Sequence, residues 1–398
     1  MSEIMTVCFQ DICEITSSKR IFYEEYVNHG IPFYRSKEII ELANNKPTST
    51  ELYISENRFN EIAQKFGYPQ ANDILLTSVG TLGQVYLVDG THKFYFKDGN
   101  LTWFRKWKEN VYPMYICHWL KSKIGQQSLL DISIGSTQQA LTITGLKSIE
   151  VPLPRLPEQQ AIAEVLSRLD DKIDLLHRNN KTLEEMAETL FRQWFVDLEF
   201  NSTINDVSDV LNGYAFKSSE FNSEGANHVI KIKNIGGSSV NISDCDRISE
   251  YTANKTNNKF KVCAGDILFA MTGAEIGKMG IVGQTDKSLW LNQRVGNIKD
   301  KVEGSKYLAY LALKSDLGQD FILNTASGSA QPNISATDIS RCPFPCISKE
   351  QIIEKSTVLK NLFDKVIHNL GQISVLTSTR DTLIPKLMSG QVRVNINA

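Results

Sequence analysis

The sequence predicts an α+β fold made by tandem duplication. Two domains of mixed short strands and helices are separated by two long antiparallel coiled-coil helices, related by an approximate twofold. Three observations lead there: an unusually long helical period in the middle of the chain, a second copy of it at the C-terminus, and short strand-like runs that recur at one fixed offset.

The central stretch runs from Leu156 to Val196. Apolar residues fall at Ile162, Leu166, Leu169, Ile173, Leu176, Leu183, Ala187, Leu190 and Trp194, with one gap at Asn180. Steps of four and three give a 3.5-residue period, the seam of a helix that packs lengthwise on another helix. Pro157 suits a first helical turn and Glu158 the positive end of the helix dipole. About 40 residues at ~1.5 Å each make a rod of roughly 60 Å, too long for a helix of one compact domain.

Adding 193 carries Leu166, Leu169, Asp171, Lys172, Leu183, Thr189 and Leu190 onto Leu359, Leu362, Asp364, Lys365, Leu376, Thr382 and Leu383. Ser348-Lys349-Glu350-Gln351 reads as a capping box that starts this second helix. Gly390 suits a left-handed cap at its end, and Pro385 is expected to end or bend the last turn. Residues 151–200 hold 6 basic and 10 acidic side chains, and residues 346–398 hold 7 and 4. Opposite charge favours pairing of the two helices, although each surface pair adds little. Asn180 and Asn369 interrupt the seams; each is either a register-fixing polar residue or a tolerated imperfection. Self-complementary pairing of a duplicated unit favours the antiparallel arrangement.

The order along the chain is then a domain over 1–152, the central helix over 153–200, a second domain over 201–346 and the C-terminal helix over 347–398. In the first domain Gly30–Arg35 is extended, Asp73–Thr77 and Val85–Val88 are buried strands, and Phe94–Phe96 follows. Loops lie at 78–84, 97–100 and 135–139, and Met114–Lys123 is helical. Asp73-Ile74-Leu75 returns as Asp266-Ile267-Leu268, Gly80 as Gly273, Leu120-Lys121-Ser122 as Leu313-Lys314-Ser315, and Gly135-Ser136 as Gly328-Ser329. Framework residues recur while loop residues mostly differ, as in Lys97-Asp98-Gly99-Asn100 against Asn292-Gln293-Arg294-Val295.

At 398 residues, 41% hydrophobic and 22% charged, the chain fits a soluble protein of two or three domains. No apolar run approaches the ~18 residues of a membrane span, and Met1-Ser2-Glu3-Ile4 carries no signal region. Cysteines at 8, 13, 117, 245, 263, 342 and 346 form no facing CxxC pairs, so reduced thiols and a cytoplasmic location are expected. A net charge of -2 means that any nucleic-acid surface must be local. Catalytic constellations are missing. There is no Asn/Asp-Pro-Pro-aromatic motif. Gly273–Met279 is one residue short of a P-loop and lacks the hydroxyl after Lys278. The histidines at 29, 92, 118, 177, 228 and 368 have no metal-ligand spacing.

Leu153-Pro154-Arg155-Leu156-Pro157-Glu158-Gln159-Gln160 and Asp171-Lys172-Ile173-Asp174 are the motifs of the central helix. With the Asp-Ile-Leu strands at 73 and 266, Leu291–Gly296 and Leu383-Ile384-Pro385-Lys386-Leu387-Met388-Ser389-Gly390, they resemble the specificity subunit of a type I restriction-modification system over nearly the whole chain. Pro-Glu-Gln at 157–159 becomes Lys349-Glu350-Gln351 in the second copy. The resemblance implies two target recognition domains that each read one part of a bipartite, asymmetric double-stranded DNA target. It implies helices that set the spacer and dock two methyltransferase subunits, with restriction and translocation subunits joining them. The subunit itself is then non-catalytic, needs no cofactor or metal, and leaves S-adenosylmethionine, ATP and magnesium to its partners. The alternative is a coiled-coil scaffold whose globular domains bind proteins and read no DNA.

Base reading needs bidentate groups, such as Arg on guanine and Asn or Gln on adenine, while phosphates take Lys, Arg, Ser, Thr and backbone amides. Such groups are expected on loops. In the first domain the candidates are Tyr34, Arg35, Ser36, Lys37, Ser78, Thr81, Gln84, Lys97, Asn100, Arg105, Gln138 and Gln139, with Trp103 as a further one; Trp103 and Trp107 fit core positions better than stacking platforms. In the second they are Lys231, Lys233, Asn234, Thr272, Glu275, Lys278, Asn292, Gln293, Arg294, Ser329, Gln331 and Asn333. Asn292-Gln293-Arg294 is the sharpest, with three reading groups in a row.

Overall fold

The computed structural model describes residues 4–135, 139–196, 198–326 and 332–394. Two 40-residue helices dominate it, Leu156–Phe195 and Lys349–Met388. The chain divides into two compact units, residues 1–174 with 377–398, and Leu175–Leu376. Each unit therefore contains one globular domain and a segment of each long helix.

In the first unit, Glu14–Thr16, Leu101–Arg105, Ile74–Thr77 and Val85–Leu87 form an antiparallel sheet in that order. A second sheet runs Tyr26–Val27, Tyr53–Ile54, Ile31–Tyr34, Tyr95–Phe96, its last pair parallel. Met5–Cys8 pairs with Glu150–Leu153 just before the long helix begins. The expected strands at 74, 85 and 95 are present. The expected helix over 114–123 is corrected: Pro113–Lys121 ends there because the Ser122 hydroxyl accepts from the Gly125 amide at 3.1 Å and starts a new helix, Lys123–Asp131.

The second unit repeats this plan. Ser208–Asn212, Val295–Asp300, Ile267–Ala270 and Met279–Ile281 form the first sheet. Asp246–Ile248, Asn227–Ile230, Ser288–Leu291 and Lys261–Val262 form the second, again with one parallel pair, Asn227–Ile230 on Ser288–Leu291. Ser202–Thr203 with Pro343–Phe344 replaces the pair at the helix entry.

Within each unit the long-helix segments run in opposite directions and share a core with the domain. In the first, Ile162, Ala163 and Leu166 pack with Ile384, Leu387 and Met388, and the Arg380 guanidinium donates to Asp170 at 2.8 Å. In the second, Ala187, Phe191 and Phe195 share a cluster with Leu359, Phe363 and Val366. Burying each large apolar side chain contributes roughly 1.5–3 kcal/mol, so the seam and not helix propensity holds the rods. The second helix is capped as expected, with Ser348 and Gln351 bonded reciprocally and Gly390 at φ 72°. The helix ends at Met388, next to the expected Ser389-Gly390; Pro385 does not end it but lies inside its last turn, where burial of Leu387 and Met388 outweighs one lost backbone bond.

Gln159 explains part of the entry motif. Its carboxamide is fully buried, accepts from the Tyr112 amide at 2.8 Å and donates to the Asn110 and Pro154 carbonyls at 2.9 and 2.8 Å. Glu158 sits beside it, 3.7 Å from Arg393. In the second copy Gln351 is spent on the cap instead.

Asn180 and Asn369 meet inside the seam, where the Asn369 amide donates to the Asn180 carbonyl oxygen at 2.8 Å. Both are buried, and Asn180 Nδ2 has no partner among the described residues. Asn369→Leu removes the one donor that Asn180 Oδ1 has among the described residues and is expected to cost about 1–3 kcal/mol, read from the urea midpoint. Converting both to leucine is expected to recover that loss, because no polar atom is then stranded.

His118 is buried, with Nε2 3.0 Å from Ser167 Oγ and Nδ1 3.6 Å from Asp170; Lys121 and Arg380 also face it. Burial pushes its imidazole well below the usual 6.5, against the pull of Asp170. A depressed histidine favours the fold fully above pH 6.5 and less as the pH falls below it, since the unfolded chain then binds the proton more readily. His118→Gln is expected to flatten the acid limb of stability against pH, measured by denaturant unfolding between pH 7 and 4.5.

Candidate functional site

In the second unit, the strand Ile267–Ala270 delivers Met271 and Thr272 to an outer edge. Asp266 braces this strand from below. Its buried carboxylate accepts from the Cys263 amide at 2.9 Å, Asn297 at 2.8 Å and the Lys299 ammonium at 2.6 Å. Two other segments close on the edge. The Met271 amide donates to the Arg294 carbonyl at 3.2 Å, and the Ile334 amide to the Met271 carbonyl at 2.9 Å. The Gly273 amide donates to the Pro332 carbonyl at 3.0 Å, and Thr272 bridges Asn333. Between them lies a pocket of about 370 Å³ lined by Met271, Thr272, Gln293, Arg294, Pro332 and Asn333.

The loop before the strand Val295–Asp300 is rigid at its base. Asn292 and Gln293 donate from their amides to the Ile230 and Tyr214 carbonyls at 3.1 and 2.9 Å, and Asn292 Oδ1 accepts from the Arg294 amide at 3.3 Å. Asn292 is thus a brace, while Gln293 and Arg294 are exposed. Thr272, Gln293, Arg294 and Asn333, read separately from sequence, come together here.

The first unit carries the same construction. The Ser78 amide donates to the Asn100 carbonyl at 2.8 Å, the Leu141 amide to the Ser78 carbonyl at 2.9 Å, and Val79 bridges Ala140. Val79, Gly99, Asn100, Gln139 and Ala140 therefore stand where Thr272, Gln293, Arg294, Pro332 and Asn333 stand in the second. Asp73 plays the part of Asp266, accepting from the Gln70 amide at 2.9 Å and from Trp103 Nε1 at 2.8 Å; burial raises its carboxyl above the usual range. The backbone is repeated and the side chains on it are exchanged. Sequence reading missed Val79, Gly99, Pro332 and Ala140; the 193-residue offset carries Val79, Gln139 and Ala140 onto Thr272, Pro332 and Asn333, and an offset of 194 carries Gly99 and Asn100 onto Gln293 and Arg294.

Other candidates turn inward or are already paired. Tyr34 is buried, its hydroxyl 2.8 Å from His92 Nε2. Ser78 is buried against the Thr102 hydroxyl at 2.6 Å. Asn234 is buried, accepting from the Lys231 amide and donating to the Asn241 and Asp244 carbonyls. These three brace loops from within and cannot reach a base. Trp103 is a core residue, and Trp107 stacks on Phe104 with ring planes 8° apart. Arg35 holds Glu38 at 2.8 Å from the N-cap of the helix Ser36–Ala43, which Ser36 begins and on which Lys37 is exposed. Arg105 lies over Trp103 and pairs with Glu14 at 3.2 Å. Lys231 pairs with Asp246 and covers Phe221, and Lys233 reaches Asp246 at 3.0 Å; the Lys231 ammonium holds the Asp246 carboxyl below its usual range. Glu275 and Lys278 pair with each other. Thr81 and Lys97 are exposed and Gln84 half-buried. Gln138, Ser329 and Gln331 lie outside the described residues.

Among the described residues no group of three or more His, Cys, Asp or Glu could hold a metal ion, and no helix is long and apolar enough to cross a membrane. Cys117 and Cys342 are buried free thiols, and burial pushes the Cys342 thiol up to about 12.

A duplicated α+β domain, each copy packed on segments of two long helices and carrying a varied loop cluster at one edge, defines a class of tandem-repeat proteins built on long helices. The chain belongs to the family of the type I restriction modification DNA specificity domain, whose model matches residues 1–185 and 196–374. It is 28% identical to the type I restriction enzyme MjaIX specificity subunit of Methanocaldococcus jannaschii over 97% of this chain and 92% of that one. The HindI specificity subunit of Haemophilus influenzae is 23% identical over 65% of this chain and 72% of that one. A solved structure, the type I restriction-modification system S subunit from M. genitalium, matches with a TM-score of 0.58 over 97% of this chain and 96% of that chain at 18% identity, a likeness of fold. As a member of this family the chain is a non-catalytic specificity subunit.

Asp266→Ala strands Asn297 and Lys299 and loosens the start of the strand that carries Met271 and Thr272 to the pocket. It is expected to destabilise the protein by about 3 kcal/mol, read by denaturant unfolding, and to weaken any ligand bound at the pocket.

Proposed function

We propose that the chain binds a bipartite, asymmetric DNA target, one half-site per domain, and directs adenine methylation and restriction to it by docking partner subunits. The observation that carries this is the repeated edge with exchanged side chains: Val79, Gly99, Asn100, Gln139 and Ala140 in one copy, Thr272, Gln293, Arg294, Pro332 and Asn333 in the other. Equal frames with different reading groups suit a target whose halves differ in sequence. Exposed Lys37, Lys97 and Thr81 suit phosphate contacts around the first edge.

The long helices serve as the ruler for the unspecified spacer and as the dock for two methyltransferase subunits. Leu175, Met186, Ile353, Val358 and Val375 are exposed apolar side chains on them, available to partner helices. S-adenosylmethionine, ATP and magnesium belong to the methyltransferase and restriction subunits, and the assembly works in the cytoplasm.

The test is a map of modified adenines across a host genome after co-expression with a type I methyltransferase subunit that the chain binds. A split motif with a fixed gap is expected. A stable complex that modifies nothing would instead make the chain a protein-binding scaffold. Deleting about two turns, roughly seven residues, from both helices is expected to shift or abolish the permitted gap. An unchanged gap would end the ruler reading.

A further inference from the structure

Residues 100 and 294 occupy one place in the repeat. Each gives its carbonyl oxygen to the amide of the residue that leaves the central strand: Asn100 to Ser78 at 2.8 Å, Arg294 to Met271 at 3.2 Å. Each stands directly before the strand that pairs with it, Leu101–Arg105 and Val295–Asp300. The two Cα positions are therefore fixed alike by backbone bonds, and what differs is the side chain they carry.

Both side chains are uncommitted. Arg105, Lys231 and Lys233 spend their charge on Glu14 and Asp246, whereas Arg294 is exposed and forms no ion pair with a described residue. The Asn100 carboxamide, half-buried at the same edge, likewise has no side-chain hydrogen bond among the described residues. Asn292 holds the Arg294 amide at 3.3 Å, so the root of this side chain is rigid while its tip is free. Gly99, at φ 77°, supplies the left-handed turn that presents Asn100.

The two groups have different partners in the DNA major groove. A guanidinium donates two parallel bonds to guanine O6 and N7. A carboxamide both donates to adenine N7 and accepts from its N6 amine. Building on the two-headed DNA reading above, we propose that residues 100 and 294 form a matched pair of specificity-determining positions. Asn100 reads an adenine in the first half-site, and Arg294 a guanine at the corresponding position of the second.

The experiment uses the full chain co-expressed with its methyltransferase partner and maps modified adenines for the wild type and for Arg294→Gln, Arg294→Lys and Asn100→Arg. Arg294→Gln is expected to replace one guanine by adenine in the second half-site and leave the first untouched. Asn100→Arg is expected to make the reverse change at the matching position of the first. Arg294→Lys keeps a donor for guanine and is expected to retain the motif. The preference for guanine over adenine at that position is expected to be roughly 5- to 150-fold in the wild type. An unchanged motif in both Arg294→Gln and Asn100→Arg would overturn the pairing while leaving DNA reading intact. So would a uniform loss across all sequences, which assigns these side chains to phosphates. A wild-type complex with no split motif would overturn the two-headed reading, and this proposal with it.

Discussion

The structure depends on one narrow apolar seam. A 40-residue helix whose hydrophobic residues repeat every 3.5 positions cannot hold itself straight in water, because its own backbone bonds barely offset the entropy of ordering it. It needs a partner along its length. In the first unit that partner is the segment carrying Ile384 and Leu387; in the second it is the segment carrying Leu359 and Phe363. Each domain then completes the cluster, with Trp119 and Leu120 in one and Leu308 and Phe344 in the other. Domain and helices are mutually required, and the loop edges inherit their placement from that joint core.

Duplication did not leave the copies equal. The repeat equates Asn180 with Ile373 and Asn369 with Leu176, so the buried carboxamide pair has no counterpart in the other copy. Gly371 stands where the first helix has Arg178. A Cβ at Gly371 would lie 2.7 Å from that of Gln284, so glycine lets a loop of the second domain cross the helix there. A polar pair in one register and a glycine notch on one helix both favour a single alignment over a slipped one. The helices have become specific to their places while the sheet framework stayed common to both.

Much of this was legible in the residues. Long helices announce themselves by period, and the seam at Ile162, Leu166, Ile173, Leu176 and Ala187 is buried as the spacing requires. The capping box at Ser348 and the cap at Gly390 formed because both are local, decided within one turn of chain. The strand Leu101–Arg105 was missed, since its apolar run gives no periodicity by which to distinguish it from a loop-flanked core segment. That the helix runs on past Pro385 was not decided by the residues, because the tertiary contacts of Leu387 and Met388 are invisible locally. The site was half visible. Residue type identified Gln293 and Arg294, but type alone cannot tell an exposed group from Asn234 or Ser78, whose partners are backbone atoms several residues away or a hydroxyl on the neighbouring strand. Only the pairing of backbone segments revealed that Asn100 and Arg294 are the same position.

The first unit is assembled from two distant stretches of chain, and this imposes an order on synthesis. Residues 175–376 are continuous, so the second unit has its whole core soon after they leave the ribosome. The first domain is made earlier but waits. Ile162, Leu166 and the buried face of Trp119 lack Ile384, Leu387 and Met388 until more than two hundred further residues have been added. At elongation rates of about 5–20 residues per second, that leaves an apolar surface open for tens of seconds. The domain synthesised first is thus the one completed last, and a chain broken off before residue 377 would display that surface permanently.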